Sequence, residues 1–176
     1  MTNDVEMVLR AASFAAMKHR DQRRKDQAAT PYINHPLALA TILASEGGVT
    51  DPATLAAALL HDTIEDTETT EGELAQAFGP EVAGLVAEVT DDKAIPKVDR
   101  KRLQVEHAAH LSPKAKLVKL ADKIANLRDV AQSPPVGWPL QRRRDYFDWA
   151  RSVIDRLRGV DARLEALFDV ACAARP

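Results

Sequence analysis

Residues 58–67 read ALLHDTIEDT: an apolar run, Leu55 to Leu60, ends abruptly in one imidazole and three carboxylates, His61, Asp62, Glu65 and Asp66. A helix built for a core has no reason to finish this way unless something beyond its end needs those groups. An uncompensated buried carboxylate costs several kcal/mol, so a cation or a hydrogen-bond network must stand opposite. Neighbouring helical residues point about 100° apart, so His61 and Asp62 can share one ion only at the flank or end of the helix, which is where they stand. An isolated His-Asp pair is weak evidence, because a core histidine beside a surface aspartate is commoner. Likewise the acidic run that follows it is, taken alone, more simply a solvated helix end.

Working outward, capping residues followed by Pro or Glu recur ahead of periodic apolar segments, so helix starts are legible. Asn3 or Asp4 opens a helix through about Lys18. His35-Pro36 starts another that ends near Gly47-Gly48, and Asp51-Pro52 begins the one that runs into His61. Thr70 with Glu73 reads as a capping box for a short helix ending at Phe78-Gly79, and Pro80 restarts the chain toward Val89. Helices are expected from Arg100 to Ala109, from Ser112-Pro113 through an apolar stripe of Leu117, Leu120, Ala121, Ile124 and Leu127, from Leu140 to Leu157, and from Asp161 to Ala173. No segment alternates with period two over strand length, and the expected fold is all-α: a compact multi-helix bundle, one domain over 1–176.

Composition supports this. Hydrophobic residues make up 45% and aromatics only 5%, so an Ala/Leu/Val core is implied, a composition that favours helices. In 176 residues a real core is possible. A formal charge of −2 argues against a broad basic surface for a nucleic-acid polymer and points to a small partner. One cysteine, Cys172, no 18-residue apolar run and no signal-type N-terminus predict a soluble, cytoplasmic protein.

Three features strengthen the His61-Asp62 pair as a metal site. His35 precedes a Pro-started helix, Asp122 sits among apolar residues of the long helix, and Asn126 lies one turn later on the same face. Two imidazoles and two carboxylates without thiolate suit Mn2+ or Fe2+, tolerate Zn2+ or Co2+, and leave positions for water. A bound divalent ion lowers the pKa of its water to about 7, and Glu65 or Asp66 could take or orient the proton. Two basic loops, with Arg20, Arg23, Arg24 and Lys25 in one and Lys93, Lys97, Arg100 and Lys101 in the other, are individually ordinary charge runs. Flanking a metal site, they read as a polyphosphate pocket.

The order His35, His61-Asp62, Asp122 resembles the HD-domain metal-dependent phosphohydrolases. More narrowly, RKDQAATPYINHP, ALLHDTIEDT, VTDDK, KLVKLADKIANLRD and YFDWA resemble the hydrolase domain of the RelA/SpoT family, above all its small stand-alone members. The resemblance runs from about Ala11 to Ile154. It implies a manganese (Mn2+)-dependent pyrophosphohydrolase that removes the 3′-diphosphate of guanosine tetra- or pentaphosphate, leaving GDP or GTP. It further implies metal ligands His35, His61, Asp62 and Asp122, and Glu65 and Asp66 at the attacking water. Arg24 would lie against the base, with Lys25 and Asn126 contacting the nucleotide, and Lys97 and Tyr146 its phosphates. Alarmone synthesis is not expected, since the synthetase domain of the long enzymes has no place in this length. Ala29 stands where the small members tend to carry glycine, so the loop is expected to turn differently if that position needs positive φ.

Two other readings keep the site: a phosphatase for another nucleotide phosphate, such as the 2′-phosphate of NADPH, or a non-catalytic alarmone-binding module. His19, His107 and His110 are expected at the surface or at helix ends, and Trp138 and Trp149 in packing. Of the consecutive pair Tyr146 and Phe147, only one can face a pocket, and the resemblance favours Tyr146. Oligomeric state is left open.

Overall fold

A computed structural model describes residues 4–176; Asn3, the alternative start of the first helix, lies outside them. The described chain folds into α1 (Asp4–Lys18), α2 (Asn34–Thr41), α3 (Pro52–Leu60), α4 (Thr63–Asp66), α5 (Glu71–Phe78), α6 (Pro80–Val89), α7 (Lys97–His107), α8 (Pro113–Gln132), α9 (Leu140–Ile154) and α10 (Ala162–Ala173). Among the described residues there is no strand, only one isolated antiparallel bridge between Arg23 and Pro31. None of the helices is long and apolar enough to cross a membrane.

The caps read from the sequence are made as expected. Asp51, Thr70, Ser112 and Asp161 each accept the backbone N–H three residues on, from Thr54, Glu73, Ala115 and Leu164, which satisfies an otherwise orphaned donor in the first turn. Three boundaries differ. α7 starts at Lys97 rather than Arg100, because Pro96, at φ −53° and ψ 142°, sets the helix entry three residues earlier. α9 closes at Ile154 rather than Leu157. The segment expected to run on from α2 to Gly47 loosens into a π-helical turn, Ile42–Glu46. There a Cβ on Gly47 would stand 2.8 Å from both the Leu164 side chain and the Leu43 carbonyl oxygen, so only glycine admits α10 this closely.

α3 is the hub, packed by α1, α2, α6 and α8. Ala53, Thr54, Ala56, Ala57, Ala58, Leu59 and Leu60 are all buried, so the helix is apolar around most of its circumference, as expected of a helix enclosed by others. Small alanines let its neighbours approach closely. Leu39, Leu43, Leu120, Ile124 and Leu127 fill the space around it from α2, the π turn and α8. The consequence for function is rigidity: the C-terminal end of α3, the N-terminal end of α2 and the middle of α8 meet in one place.

Candidate metal centre

His35 sits in the first turn of α2, His61 at the C-cap of α3, Asp62 one residue beyond it and Asp122 in the middle of α8. Both imidazoles are buried, 4% and 6% exposed. His61 Nε2 stands 2.9 Å from Asp62 Oδ2 and 3.9 Å from Asp122 Oδ1, and His35 Nε2 stands 3.2 Å from Asp122 Oδ1. His61 Nδ1 lies 2.8 Å from the Ala58 carbonyl oxygen. A carbonyl can only accept, so Nδ1 carries the proton and Nε2 turns a lone pair toward two carboxylate oxygens. That buried atom has no hydrogen-bond partner. Electron-rich atoms crowded this way repel one another unless a proton or a cation lies between them.

The ligand atoms of His35, His61 and Asp62 all lie within 4.8 Å of one another and fit a divalent ion, with Asp122 beside them at 3.2 Å from His35. Ligand atoms about 2.1 Å from one ion at right angles stand about 3 Å apart, close to the 2.9 and 3.2 Å found here. Two neutral imidazoles and two carboxylates balance a 2+ charge. Without an ion, burial lowers the pKa of His35. Burial works the same way on His61, but the charges of Asp62 and Asp122 outweigh it and push its imidazole up to about 9. Burial would raise both aspartates; the two histidines beside Asp62, and Lys123 with the histidines beside Asp122, hold them far below the usual carboxylate range.

The candidate donors are themselves held. Tyr32 donates its hydroxyl to Asp62 Oδ2. Asn126 Nδ2 donates to Asp122 Oδ1 at 2.7 Å, while Lys123 Nζ donates to Asp122 Oδ2 at 3.1 Å. Lys123 is 3% exposed and lies over the Trp149 ring, 4.3 Å from its centroid. Such outer partners fix the orientation of metal-ligating groups.

Two cavities open on this centre. A pocket of about 160 Å3 is lined by the four donors with Tyr32, Glu65, Asp91, Gln104, Lys119 and Asn126. A larger cleft of about 550 Å3 runs past Arg24, Lys25, Asn126, Asp129, Trp138 and Tyr146 and reaches His35 and Asp66. The two acidic candidates therefore part company. Glu65 faces the small pocket, half-buried, its pKa raised by burial and then by the charge of Asp62. Asp66 faces the cleft, where Gln22 Nε2 donates to it at 3.1 Å and Lys93 pairs with it. The helical turn α4 separates them, where the sequence alone offers only a solvated run.

Arg24 lines both cavities, pairs with Asp129 at 2.5 Å and lies 5.8 Å from the Tyr32 ring centroid. Lys25 and Tyr146 line the cleft, and burial raises the Tyr146 hydroxyl to about 12. Phe147 is fully buried, so the consecutive aromatics do face apart. Lys97 lines neither cavity. It stands at the start of α7, where burial and then the neighbouring charges of Arg142, Lys25 and Arg100 lower its pKa. Ala29 does adopt positive φ, +47°, so the loop takes the turn that glycine would favour and holds it with an alanine.

His19 stands at a helix end, directly after α1, and is buried there: it is 2% exposed, lies 4.8 Å from the Tyr32 ring and contacts Gln22 through Nδ1 at 2.7 Å. The loop 20–32 folds back over it, a long-range event with no local signal. Trp138 packs against the core as expected and also lines the cleft under Arg142, whose guanidinium lies 4.4 Å from the ring centroid. Tyr32, Gln22, Asp91, Gln104, Lys119 and Lys123 join the site without having been expected there. Tyr32, Asp91, Lys119 and Lys123 lie inside the quoted motifs, so membership of a motif is the available signal for these four; Gln22 and Gln104 have none.

An HD-domain family model matches residues 11–144. The chain is 58% identical over 169 residues to the guanosine-3′,5′-bis(diphosphate) 3′-pyrophosphohydrolase MESH1 of Xenopus tropicalis, covering 96% of this chain and 94% of that protein. It is 56% identical to the Homo sapiens protein of the same name, covering 94% and 92%. Among solved structures it is similar, at TM-score 0.93 and 50% identity over 96% of this chain and 95% of the other, to one described as a metazoan ortholog of SpoT that hydrolyzes ppGpp and plays a role in starvation responses. With the four donors converging as described and the likeness spanning nearly the whole chain, the protein belongs to the HD-domain family, in the branch of small stand-alone proteins that these relatives represent.

Proposed function

We propose that residues 1–176 form a single hydrolase domain, a manganese-dependent 3′-pyrophosphohydrolase of guanosine tetra- and pentaphosphate. The observation that carries this reading is the cluster of four donors, His35 and His61 buried and Asp62 and Asp122 partly buried, with Glu65 in the same small pocket and a basic cleft alongside. The relatives named as hydrolases of this nucleotide support the choice of substrate.

A divalent ion held by the four donors supplies a water of lowered pKa and a charge to offset the phosphate oxygens. The rest is the work of the chain's own residues. Glu65 takes a proton from the attacking water, and its half-buried position keeps its basicity above that of a free carboxylate. Asp66, fixed by Gln22 and Lys93, lies on the cleft side and orients the water against the phosphorus. Water adds its oxygen to the phosphorus that is esterified to the ribose, the bond from that phosphorus to the 3′-oxygen breaks, the 3′-oxygen takes up a proton to become a hydroxyl, and pyrophosphate leaves with GDP or GTP behind. Arg24 lies beside the base, Lys25 and Asn126 contact the nucleotide, and Tyr146 meets its phosphates. A cleft of about 550 Å3 is of the size that encloses a nucleotide. Glu65 speaks against a purely sensing module, since a binder has no need of a carboxylate beside the donors. A cytoplasmic setting accords with the single buried cysteine.

The test is pyrophosphate release from guanosine tetraphosphate by purified protein with Mn2+ and after EDTA, beside phosphate release from NADPH. Metal-dependent release of pyrophosphate with GDP is the expected result. Release of phosphate from NADPH alone would replace the substrate, and tight nucleotide binding without turnover would replace the enzyme with a sensor.

A further inference from the structure

Glu65 and Asp62 are like charges in one small pocket, so something must hold the Glu65 carboxylate in place against that repulsion. α4, which carries it, is a single four-residue turn and supplies little stiffness. What meets Glu65 comes from elsewhere: the backbone N–H of Asp91 donates to its Oε2 at 3.2 Å, and Arg100 brings a guanidinium nitrogen to 3.7 Å from Oε1. Asp91 opens the loop between α6 and α7, so its backbone position depends on what anchors that loop. The anchor is Gln104 on α7, whose Nε2 donates to Asp91 Oδ2 at 2.5 Å. Gln104 and Arg100 lie one turn apart on the same face of α7, and with Asp91 and the buried Lys119 of α8 they line a cavity of about 240 Å3 behind the pocket. Lys119, 8% exposed, donates to the Val89 carbonyl at 3.3 Å and so ties the end of α6 to α8 just ahead of Asp91.

We propose that Asp91 and Gln104 are positioning residues for Glu65: the Gln104 amide grips the Asp91 carboxylate, and the Asp91 backbone N–H in turn aims the Glu65 carboxylate into the metal pocket. This rests on the reading of Glu65 as the proton acceptor. Both residues line the small pocket beside Glu65, but they stand outside the larger cleft and their hydrogen bonds go to each other and to Glu65, so loss of the grip slows chemistry more than it weakens nucleotide binding. A misplacement of the reacting groups by a fraction of an ångström to 1 Å lowers rates by about tenfold to a hundredfold.

The experiment compares Asp91→Ala, Gln104→Leu, the double variant and Asp91→Asn, which keeps an acceptor oxygen for Gln104. kcat for the nucleotide that the metal-loaded wild-type protein turns over is expected to fall about tenfold in each of the first two. KM should stay within about twofold, and the double variant should be no slower than the slower single, because one interaction is removed only once. Asp91→Asn should return to within about twofold of wild type, and binding of guanosine tetraphosphate to the metal-free proteins should be unchanged across the set. Thermal unfolding checks each variant, and Gln104→Leu decides alone if Asp91→Ala does not fold. Unchanged kcat in the singles, losses that multiply in the double variant, or a loss confined to KM would overturn this inference and leave the hydrolase reading standing. No turnover by metal-loaded wild-type protein would instead overturn the reading on which it rests.

Discussion

The metal centre and the substrate cleft are neighbours built by opposite means. The four donors come from α2, the end of α3 and α8, and their positions follow from helices locked by fully buried leucines and alanines. The cleft takes most of its charged groups from the loop 20–32, held by side-chain pairs such as Arg24 with Asp129. Chemistry thus rests on the part of the fold with least freedom, and recognition on parts that a charged ligand can rearrange. Substitutions should follow that division. Changes at the centre remove turnover outright, those in the cleft weaken binding, and those in the loop backbone alter stability alone.

The sharpest way to break the comparison is His61→Ala. It removes one donor and the Ala58 contact together, and turnover should fall by at least about a thousandfold with loss of bound metal, measured by steady-state kinetics and metal analysis. A variant that kept its metal and most of its rate would place the ion elsewhere. Next is Glu65→Gln, which preserves shape and the Asp91 contact but cannot accept a proton. A loss of about a hundredfold to ten-thousandfold in kcat, with bound metal retained, is expected. Arg24→Ala, on the cleft side, should raise KM by about tenfold and leave kcat within a few-fold, since it frees Asp129 and removes a cation from beside the nucleotide without touching the donors.

The smallest effect belongs to Ala29→Gly. At φ +47° an alanine sits in the left-handed region at a cost of about 1–2 kcal/mol, part of which glycine returns to the unfolded chain as entropy. A net gain of up to about 1 kcal/mol in unfolding free energy, read from the denaturant midpoint with unchanged kcat, is expected. A changed KM in this variant would mean that the loop's strain serves the cleft.

The same division governs what can be read from the sequence. Helix starts are legible because a cap and its partner lie three residues apart, as at Asp51 and Ser112. The candidate donors are legible because a carboxylate inside an apolar periodic segment, as Asp122 is in α8, is too costly to bury without a cation or a hydrogen-bond partner beside it. The contacts that support them are not. Tyr32 and Asp62 are 30 residues apart, Gln22 and Asp66 are 44 apart, and only the folded chain brings them together. The burial of His19 at the end of α1 is not legible for the same reason, since the loop that covers it returns over α1 from a distance no local pattern records. Lys97 is the reverse case: a motif points to it, yet it stands outside the cavity walls, on the element whose start the sequence places three residues late.

The central claim is that His35, His61, Asp62 and Asp122 share one divalent cation. It is tested most directly by titrating metal-stripped protein with Mn2+ and following the free-ion electron paramagnetic resonance signal, in wild type and in Asp122→Asn. One tight site per chain in the wild type, weakened by about tenfold or more in the variant, is the predicted result. Mn2+ that stays free in the wild type, or a tight site that Asp122→Asn leaves intact, would contradict it.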